Sequence, residues 1–312
     1  MKRAPRIGLA CMTQRGVATL RHLAAFRPDA DLTVITTPGE AWEPAFTDDL
    51  QLIARQKGMR YVEARDLGAP VDGGGWSVAD LDILLLVNWR TRIPARAYNA
   101  PGRGTFVFHD SLLPAYRGFS PTTWAIINGE SQSGATLFAI TEEIDAGDIV
   151  GQRTVPIGEN DTIAMVMSRV TEAYLALLTD HLDGLLTGAA PRRVQDQTAA
   201  SYGCKRMPED NAIDWTAPAR CIHNLVRAVT HPYPGAYTTL EGRRLRVWST
   251  AAADGLRYVG RVPGAVVEVR PGSGAVVLTG DGALLVERVQ LDSGPEVAAD
   301  EALSRLSLRV GR

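Results

Sequence analysis

His109 and Asp145 are the two residues of this chain whose types and spacing point most directly to chemistry. The run Thr105-Phe-Val-Phe-His-Asp-Ser-Leu-Leu-Pro-Ala-Tyr-Arg-Gly118 opens as an apolar strand, Phe106 to Phe108, and delivers His109 where that strand must stop. The residues after His109 cannot extend it, because Pro114 lacks a backbone donor and Gly118 frees a turn. His109 is therefore expected at the carboxyl end of a strand, where open α/β sheets bind their ligands. Asp145 comes 36 residues later in Ile144-Asp-Ala-Gly-Asp-Ile149, a loop between two further strand-like runs. An imidazole and a carboxylate meeting from neighbouring strand ends can work as an acid–base pair. A histidine alone at a strand end would be read as a structural hydrogen-bonder, and Asp148 is read as an ordinary loop carboxylate.

The elements that must position this pair alternate along the first two-thirds of the chain. Strand patterns fall at 6–11, 31–36, 60–63, 81–87, 104–108, 134–140 and 148–156, with helix patterns between them at 16–26, 46–57 and 121–128. Short continuous apolar runs such as Ile83 to Val87 suit strands covered on both faces. The alternation predicts a doubly wound α/β domain with a mostly parallel, Rossmann-like sheet. A long amphipathic helix is predicted at 161–186, with Asn160 and Asp161 as caps and Val166, Val170, Ala173, Tyr174, Leu177 and Leu178 as its core stripe. A break begins at Thr187-Gly-Ala-Ala-Pro191 and runs to Gly203. Beyond it, a helix pattern at 217–229 precedes β-rich runs at 236–240, 244–248, 264–269, 275–278 and 284–290, separated by turn signals such as Glu241-Gly242 and Asp281-Gly282. That pattern predicts a small OB-like β-barrel and divides the chain into a domain at 1–205 and a second at 206–312.

Composition narrows the function classes. The chain has 312 residues, 45% hydrophobic and 22% charged, and a net charge of −2, so it can bury a full core and carries no polyanion footprint. No run of apolar residues is long enough to span a membrane, and the start reads as a first strand rather than a leader. Three scattered cysteines, Cys11, Cys204 and Cys221, have no metal spacing, so no metal is expected and a cytoplasmic location is the simplest account. The first turn, Gly8-Leu-Ala-Cys-Met-Thr-Gln-Arg-Gly16, contains no G-x-G-x-x-G, and no P-loop signature occurs, which demotes dinucleotide and ATP chemistry.

The segment from His109 through Ser111-Leu-Leu-Pro114, Tyr116-Arg-Gly118, Trp124-Ala-Ile-Ile-Asn-Gly-Glu130, Gly134-Ala-Thr136 and the Asp145 loop resembles the catalytic core of folate-dependent formyltransferases. Ile213-Asp-Trp215, His223 to Val229 and Pro232-Tyr-Pro-Gly235 look like the carboxyl domain of the same group, so the resemblance covers nearly the whole chain. It is nearest to sugar-nucleotide N-formyltransferases and next to methionyl-tRNA formyltransferase. The resemblance implies N10-formyltetrahydrofolate as formyl donor and a primary amine as acceptor. It also implies His109 and Asp145 as catalytic residues, Asn88, Trp89, Arg90 and Ile144 as the folate-binding set, and Ser111, Tyr116, Arg117 and Gly118 on the substrate side. Asp145 is expected to pair with His109 and relay the amine's proton, while His109 protonates or hydrogen-bonds the developing oxyanion. One departure matters: the family has Asn two residues before the His, where this chain has Val107. Losing such a donor typically costs about a hundredfold to a thousandfold in rate. Another donor, a different acceptor or transfer chemistry, or a non-catalytic folate-binding relative would each account for Val107. Asn88 can in principle offer the missing amide, or it is a turn residue lining the folate pocket.

Charge bears on the acceptor. Residues 37–50 hold Glu40, Glu43, Asp48 and Asp49 and no Lys or Arg, and residues 206–312 carry 13 basic and 12 acidic residues. Phosphate-backbone binding needs several Lys or Arg contacts acting together. A small amine, above all a nucleotide-linked amino sugar, is therefore expected rather than tRNA. A hydroxylated amino-acid amine and an assembly of two copies both stay open.

Overall fold

The computed structural model describes residues 3–39, 45–64, 67, 76–253, 255 and 257–311. These form two compact units, Met1–Pro121 with Gln132–Pro156 and Met167–Cys204, and Thr122–Ser131 with Ile157–Val166 and Lys205–Arg312. In chain order the elements up to the first hairpin edge are β1 (Arg6–Cys11), α1 (Thr13–Phe26), β2 (Asp31–Thr36), α2 (Thr47–Lys57), β3 (Arg60–Glu63), β4 (Ile83–Val87), α3 (Ala95–Tyr98), β5 (Thr105–His109), β6 (Arg117–Gly118), α4 (Pro121–Ile127), β7 (Gln132–Ala139) and β8 (Ile149–Pro156). They are succeeded by α5 (Ile163–Thr187) and β9 (Tyr202–Gly203).

The first unit is built on a seven-stranded sheet in the order β3-β2-β1-β4-β5-β7-β8. The first five strands are parallel, and β7 and β8 close the edge as an antiparallel pair. The chain leaves β1 outward to β2 and β3 and returns to β4 on the other side, so the crevice at the carboxyl ends of β1 and β4 is a topological switch point. All five residues of β4 are buried, as its unbroken apolar run requires. β5 alternates its faces. Phe108 stacks on Tyr174 of α5 at 4.9 Å, while Val107 on the opposite face is half-buried against Leu113, Phe138 and Ile149.

α5 begins at Ile163, two residues after Asp161, whose Oδ2 accepts from the Gly158 amide at 2.6 Å. Glu40 and Glu43 lie outside the described residues, whereas Asp48 and Asp49 open α2, where carboxylates complement the positive end of the helix dipole.

The second unit contains α6 (Ala219–Val229), β10 (Ala236–Leu240), β11 (Arg243–Ala252), β12 (Val266–Arg270), β13 (Gly274–Leu278), β14 (Ala283–Leu291), β15 (Glu296–Ala298) and α7 (Ala299–Ala302). Its antiparallel sheet runs β10-β11-β14-β13-β12, with β15 on β14. Two carboxyl-terminal residues bring its edges together: Val310 bridges Leu240 at the end of β10, and Arg309 bridges Ala265 just before β12. The sheet therefore curls toward closure, as the short runs and turn signals predict. Among the described residues no helix is long and apolar enough to cross a membrane.

Candidate active site

His109 ends β5 as a buried residue, 8% exposed. Its Nε2 lies 2.8 Å from the carbonyl oxygen of Tyr116, and a carbonyl only accepts, so Nε2 carries a proton and donates it. The other ring nitrogen, Nδ1, faces Asp145 Oδ2 at 3.6 Å, within ion-pair range but beyond a hydrogen bond. Asp145 sits at φ 51° in the loop between β7 and β8. Its Oδ2 accepts from the Gly118 amide at 2.7 Å, and among the described residues its Oδ1 accepts no hydrogen bond. The oxygen that faces the imidazole is thus also the one locked by Gly118, and among the described residues the other carries no hydrogen bond.

The turn after His109 is bolted to the β7–β8 edge. Ser111 Oγ donates to Ala115 O at 2.6 Å, Thr136 Oγ1 donates to Ser111 O at 2.6 Å, and Gln152 Nε2 donates to Leu113 O at 2.9 Å. Gly118 has φ 89°, and a Cβ there would lie 3.0 Å from Gly203 O in the paired β9 strand. On the other side of the site, a Cβ at Gly147 would overlap the Ala139 carbonyl, so only glycine lets the Asp145 loop fold this tightly.

Two residues expected on the substrate side are buried, with their side chains hydrogen-bonded within the scaffold. Ser111 is 2% exposed with its hydroxyl spent in the turn. Arg117 is 1% exposed, and its fork is consumed by Gln195 Oε1 (3.2 and 2.7 Å), Gln197 Oε1 (2.8 Å) and Tyr202 Oη (3.3 Å). Gln195, which no motif in the sequence marks, carries the fork's hold onward. Its Nε2 donates to the carbonyls of Asp145 (2.8 Å) and Gly147 (2.7 Å). Adjacent residues therefore hold Asp145 twice: Gly118 by its side chain, and Arg117, through Gln195, by its backbone. Tyr116 contributes its carbonyl to His109 and donates its amide to Ser201 Oγ at 2.9 Å.

Of the residues expected to meet folate, Trp89 packs on the Val107 face of the sheet, while Asn88 accepts from Arg15. Trp89, Val107 and Ile140 are partly buried against one apolar cluster that includes Leu86 and Ile93. Among the described residues the buried Nε1 of Trp89 has no hydrogen-bond partner, an indole donor that a heterocycle with acceptor atoms would satisfy. Ile144 is 64% exposed beside Asp145, and Arg90 is exposed on the same loop as Trp89. A partly open apolar face, an unsatisfied indole N–H and a guanidinium together fit a conjugated, carboxylate-bearing ligand. A cavity of about 370 Å³ opens around Gly104, Thr105, Arg103 and Arg192, but it lies at the amino end of β5, away from His109.

A charged cluster occupies the switch point itself. Arg15, in the first turn of α1 and 4% exposed, places Nη1 2.6 Å from both Asp110 oxygens and 3.2 Å from Asn88 Oδ1, while its Nε donates to Thr171 at 3.1 Å. Tyr174 Oη donates to Asp110. Burial pushes the Asp110 carboxyl up, but the Arg15 charge and the hydrogen bonds from Arg15 and Tyr174 outweigh it and hold Asp110 below the usual carboxylate range. Burial, with the Asp110 charge second, drives the Tyr174 phenol well above its ordinary value, so it stays protonated and donating. Asp110 directly follows His109, a signal legible in the sequence. Arg15, in contrast, is marked by no motif.

A switch-point sheet with a His–carboxylate pair at its strand ends is the arrangement of an α/β enzyme with an acid–base pair. Two family models match: the formyl transferase model over residues 75–182 and the formyl transferase C-terminal domain model over residues 205–307, together about two thirds of the chain. The chain belongs to the formyltransferase family.

Among solved structures, the chain is similar to HypX from Aquifex aeolicus in complex with tetrahydrofolic acid, at 19% identity and TM-score 0.64, over 97% of this chain and 47% of that one. The chain thus spans about half the length of HypX. It is similar also to an N-formyltransferase from Helicobacter canadensis, in complex with folinic acid and dTDP-3-aminofucose, at 18% identity and TM-score 0.68 over 90% of this chain and 98% of that one. Methionyl-tRNA formyltransferase from Clostridium thermocellum matches at 18% identity and TM-score 0.56, over 81% of this chain and 95% of that one. At these identities the likeness is one of fold.

Proposed function

We propose that this chain transfers a formyl group from N10-formyltetrahydrofolate to the primary amine of a small molecule, with a nucleotide-linked amino sugar as the favoured acceptor. The observation that carries this reading is the arrangement of Asp145, whose Oδ2 is fixed by the Gly118 amide at 2.7 Å and faces His109 Nδ1 at 3.6 Å, while among the described residues Oδ1 accepts no hydrogen bond. The amine nitrogen attacks the formyl carbon, and its proton passes to Asp145. The C–N10 bond then breaks, its electron pair returns to N10, and that nitrogen takes up the proton as tetrahydrofolate leaves. His109, oriented through Nε2 by the Tyr116 carbonyl, turns Nδ1 toward Asp145, and as the imidazolium it carries there an N–H that supports the charge on the formyl oxygen.

Neighbours solved with tetrahydrofolic acid and with folinic acid and an amino-sugar nucleotide support a folate donor and an amino-sugar acceptor. Methionyl-tRNA formyltransferase shares the fold, but the near-neutral charge of residues 206–312 speaks against a tRNA clamp. Asn88, Trp89, Arg90 and Ile144 form the proposed folate side, and Tyr116 and Gly118 border the acceptor side. The proposed location is the cytoplasm, which suits three free cysteines, two of them exposed. Incubation with formyl-tetrahydrofolate and a panel of amines, with tetrahydrofolate release as the readout, tests the reading. Formylation of charged initiator tRNA with no activity on any small amine would sink it.

A further inference from the structure

We propose that Asn88 is the oxyanion donor of this site, with its amide aimed by Arg15; the assignment rests on the formyl-transfer reading above. Attack on a formyl carbon moves negative charge onto the formyl oxygen, and a donor fixed where that charge develops is the most effective single aid to such a step. His109 supplies at most one N–H, because Nε2 is already committed to Tyr116 O and only Nδ1 faces Asp145. Val107, two residues earlier on the same face of β5, has no donor at all.

Asn88 follows β4 directly, at the strand end beside the end of β5. The parallel pairing of β4 with β5 sets Leu86 beside Val107 and Val87 beside Phe108, so Asn88 is next in register with His109. The backbone turns there into the left-handed region, at φ 55°, a conformation that asparagine tolerates better than most residues. Arg15 settles which way the amide points. A guanidinium only donates, so the atom 3.2 Å from Arg15 Nη1 must be the amide oxygen, and the two N–H groups lie at the other end. Among the described residues Asn88 Nδ2 makes no hydrogen bond. Arg15 is itself immobilised by Asp110 and Thr171, which makes the amide a preoriented donor rather than a surface rotor. In the reaction Asn88 transfers no proton. It hydrogen-bonds the oxygen while the C–N bond forms and again while the C–N10 bond breaks.

Asn88→Asp tests this directly, since it keeps the size, the backbone tolerance and an oxygen for Arg15 while replacing the donor. Asn88→Gly keeps the backbone and adds no charge. Each should lower kcat for tetrahydrofolate release about a hundredfold to a thousandfold, with KM for the formyl donor and calorimetric affinity for tetrahydrofolate close to wild type. Val107→Asn in the Asn88→Gly background should recover about tenfold or more, because it returns an amide donor to the His109 face of β5. Arg15→Met should lower kcat by itself but add little to Asn88→Gly, since both act through one amide. Wild-type kcat in both Asn88 variants overturns the assignment, and so does a rise in KM with kcat unchanged, which would make Asn88 a wall of the folate pocket. A wild-type enzyme that releases tetrahydrofolate with no amine overturns the formyl-transfer reading and this assignment with it.

Discussion

At the scale of single residues, the open oxygen of Asp145 and the oriented ring of His109 predict a specific kinetic signature. His109→Ala and Asp145→Asn should each reduce kcat by about 10²- to 10⁴-fold while tetrahydrofolate still binds, because both act on atoms that change charge in the transition state. Steady-state kinetics beside calorimetry separates this from a pocket defect, and wild-type turnover in His109→Ala would remove the mechanism. Asp110 predicts something different, a dependence of stability on acid. Its folded-state pKa is depressed, so its contribution is fully present above the ordinary carboxylate value and is lost as pH falls through the lower folded value. Asp110→Asn should therefore destabilise the protein most above about pH 4, with the gap to wild type closing below that as the unfolded carboxyl protonates. Urea midpoints on both sides of that pH measure the closure. His109 was legible in the sequence because a strand pattern ran into Pro114 and Gly118. Ser111 and Arg117 were legible as members of the motif, but type and spacing do not reveal that the Arg117 guanidinium is 1% exposed and held by Gln195 and Gln197.

At the scale of elements, the loop that carries Asp145 is held less by its own residues than by the segment after α5. Gln195 joins the buried Arg117 fork to two loop carbonyls, so its removal strands donors and acceptors together. Gln195→Ala should destabilise by about 1–3 kcal/mol and lower kcat more than it raises KM, since the carboxylate loses its backbone anchor while the folate face stays intact. Gln195→Glu, which can still accept from Arg117 but no longer donates to the carbonyls, should retain more stability than activity. Equal, modest losses in both variants would reduce Gln195 to a packing residue. This coupling left no trace in the sequence, where residues 188–203 read only as a polar break. The regular elements were legible almost throughout because their burial follows their period: β4 is apolar at every position, and the α5 stripe of Val166, Val170, Tyr174, Leu177 and Leu178 is buried within 1%. The short β15 strand and the turn of α3 were missed, since three and four residues are too few to show a period.

At the scale of the whole molecule, the proposed division at 205 and 206 depends on whether residues 188–203 are a linker or part of the first domain. The structure ties them in at several points. Arg193 exchanges backbone hydrogen bonds with Ile149 at 2.9 and 2.8 Å and donates to Gln152 from its side chain, and β9 pairs with β6. A protease needs an extended, detachable backbone, so exposure alone does not make Arg192 or Arg193 a cleavage site. Lys205 is exposed immediately beyond β9, whereas Arg206 donates to Asp210 O and Asn211 Oδ1, both at 2.8 Å. Limited trypsin digestion under native conditions should therefore cut first after Lys205 and leave 192–193 intact, giving fragments that end at 205 and begin at 206. Mass spectrometry of the earliest fragments decides the matter. Initial cleavage at Arg192 or Arg193 would mean that the segment detaches readily, and the Gln195 anchor could not then hold the Asp145 loop through a catalytic cycle.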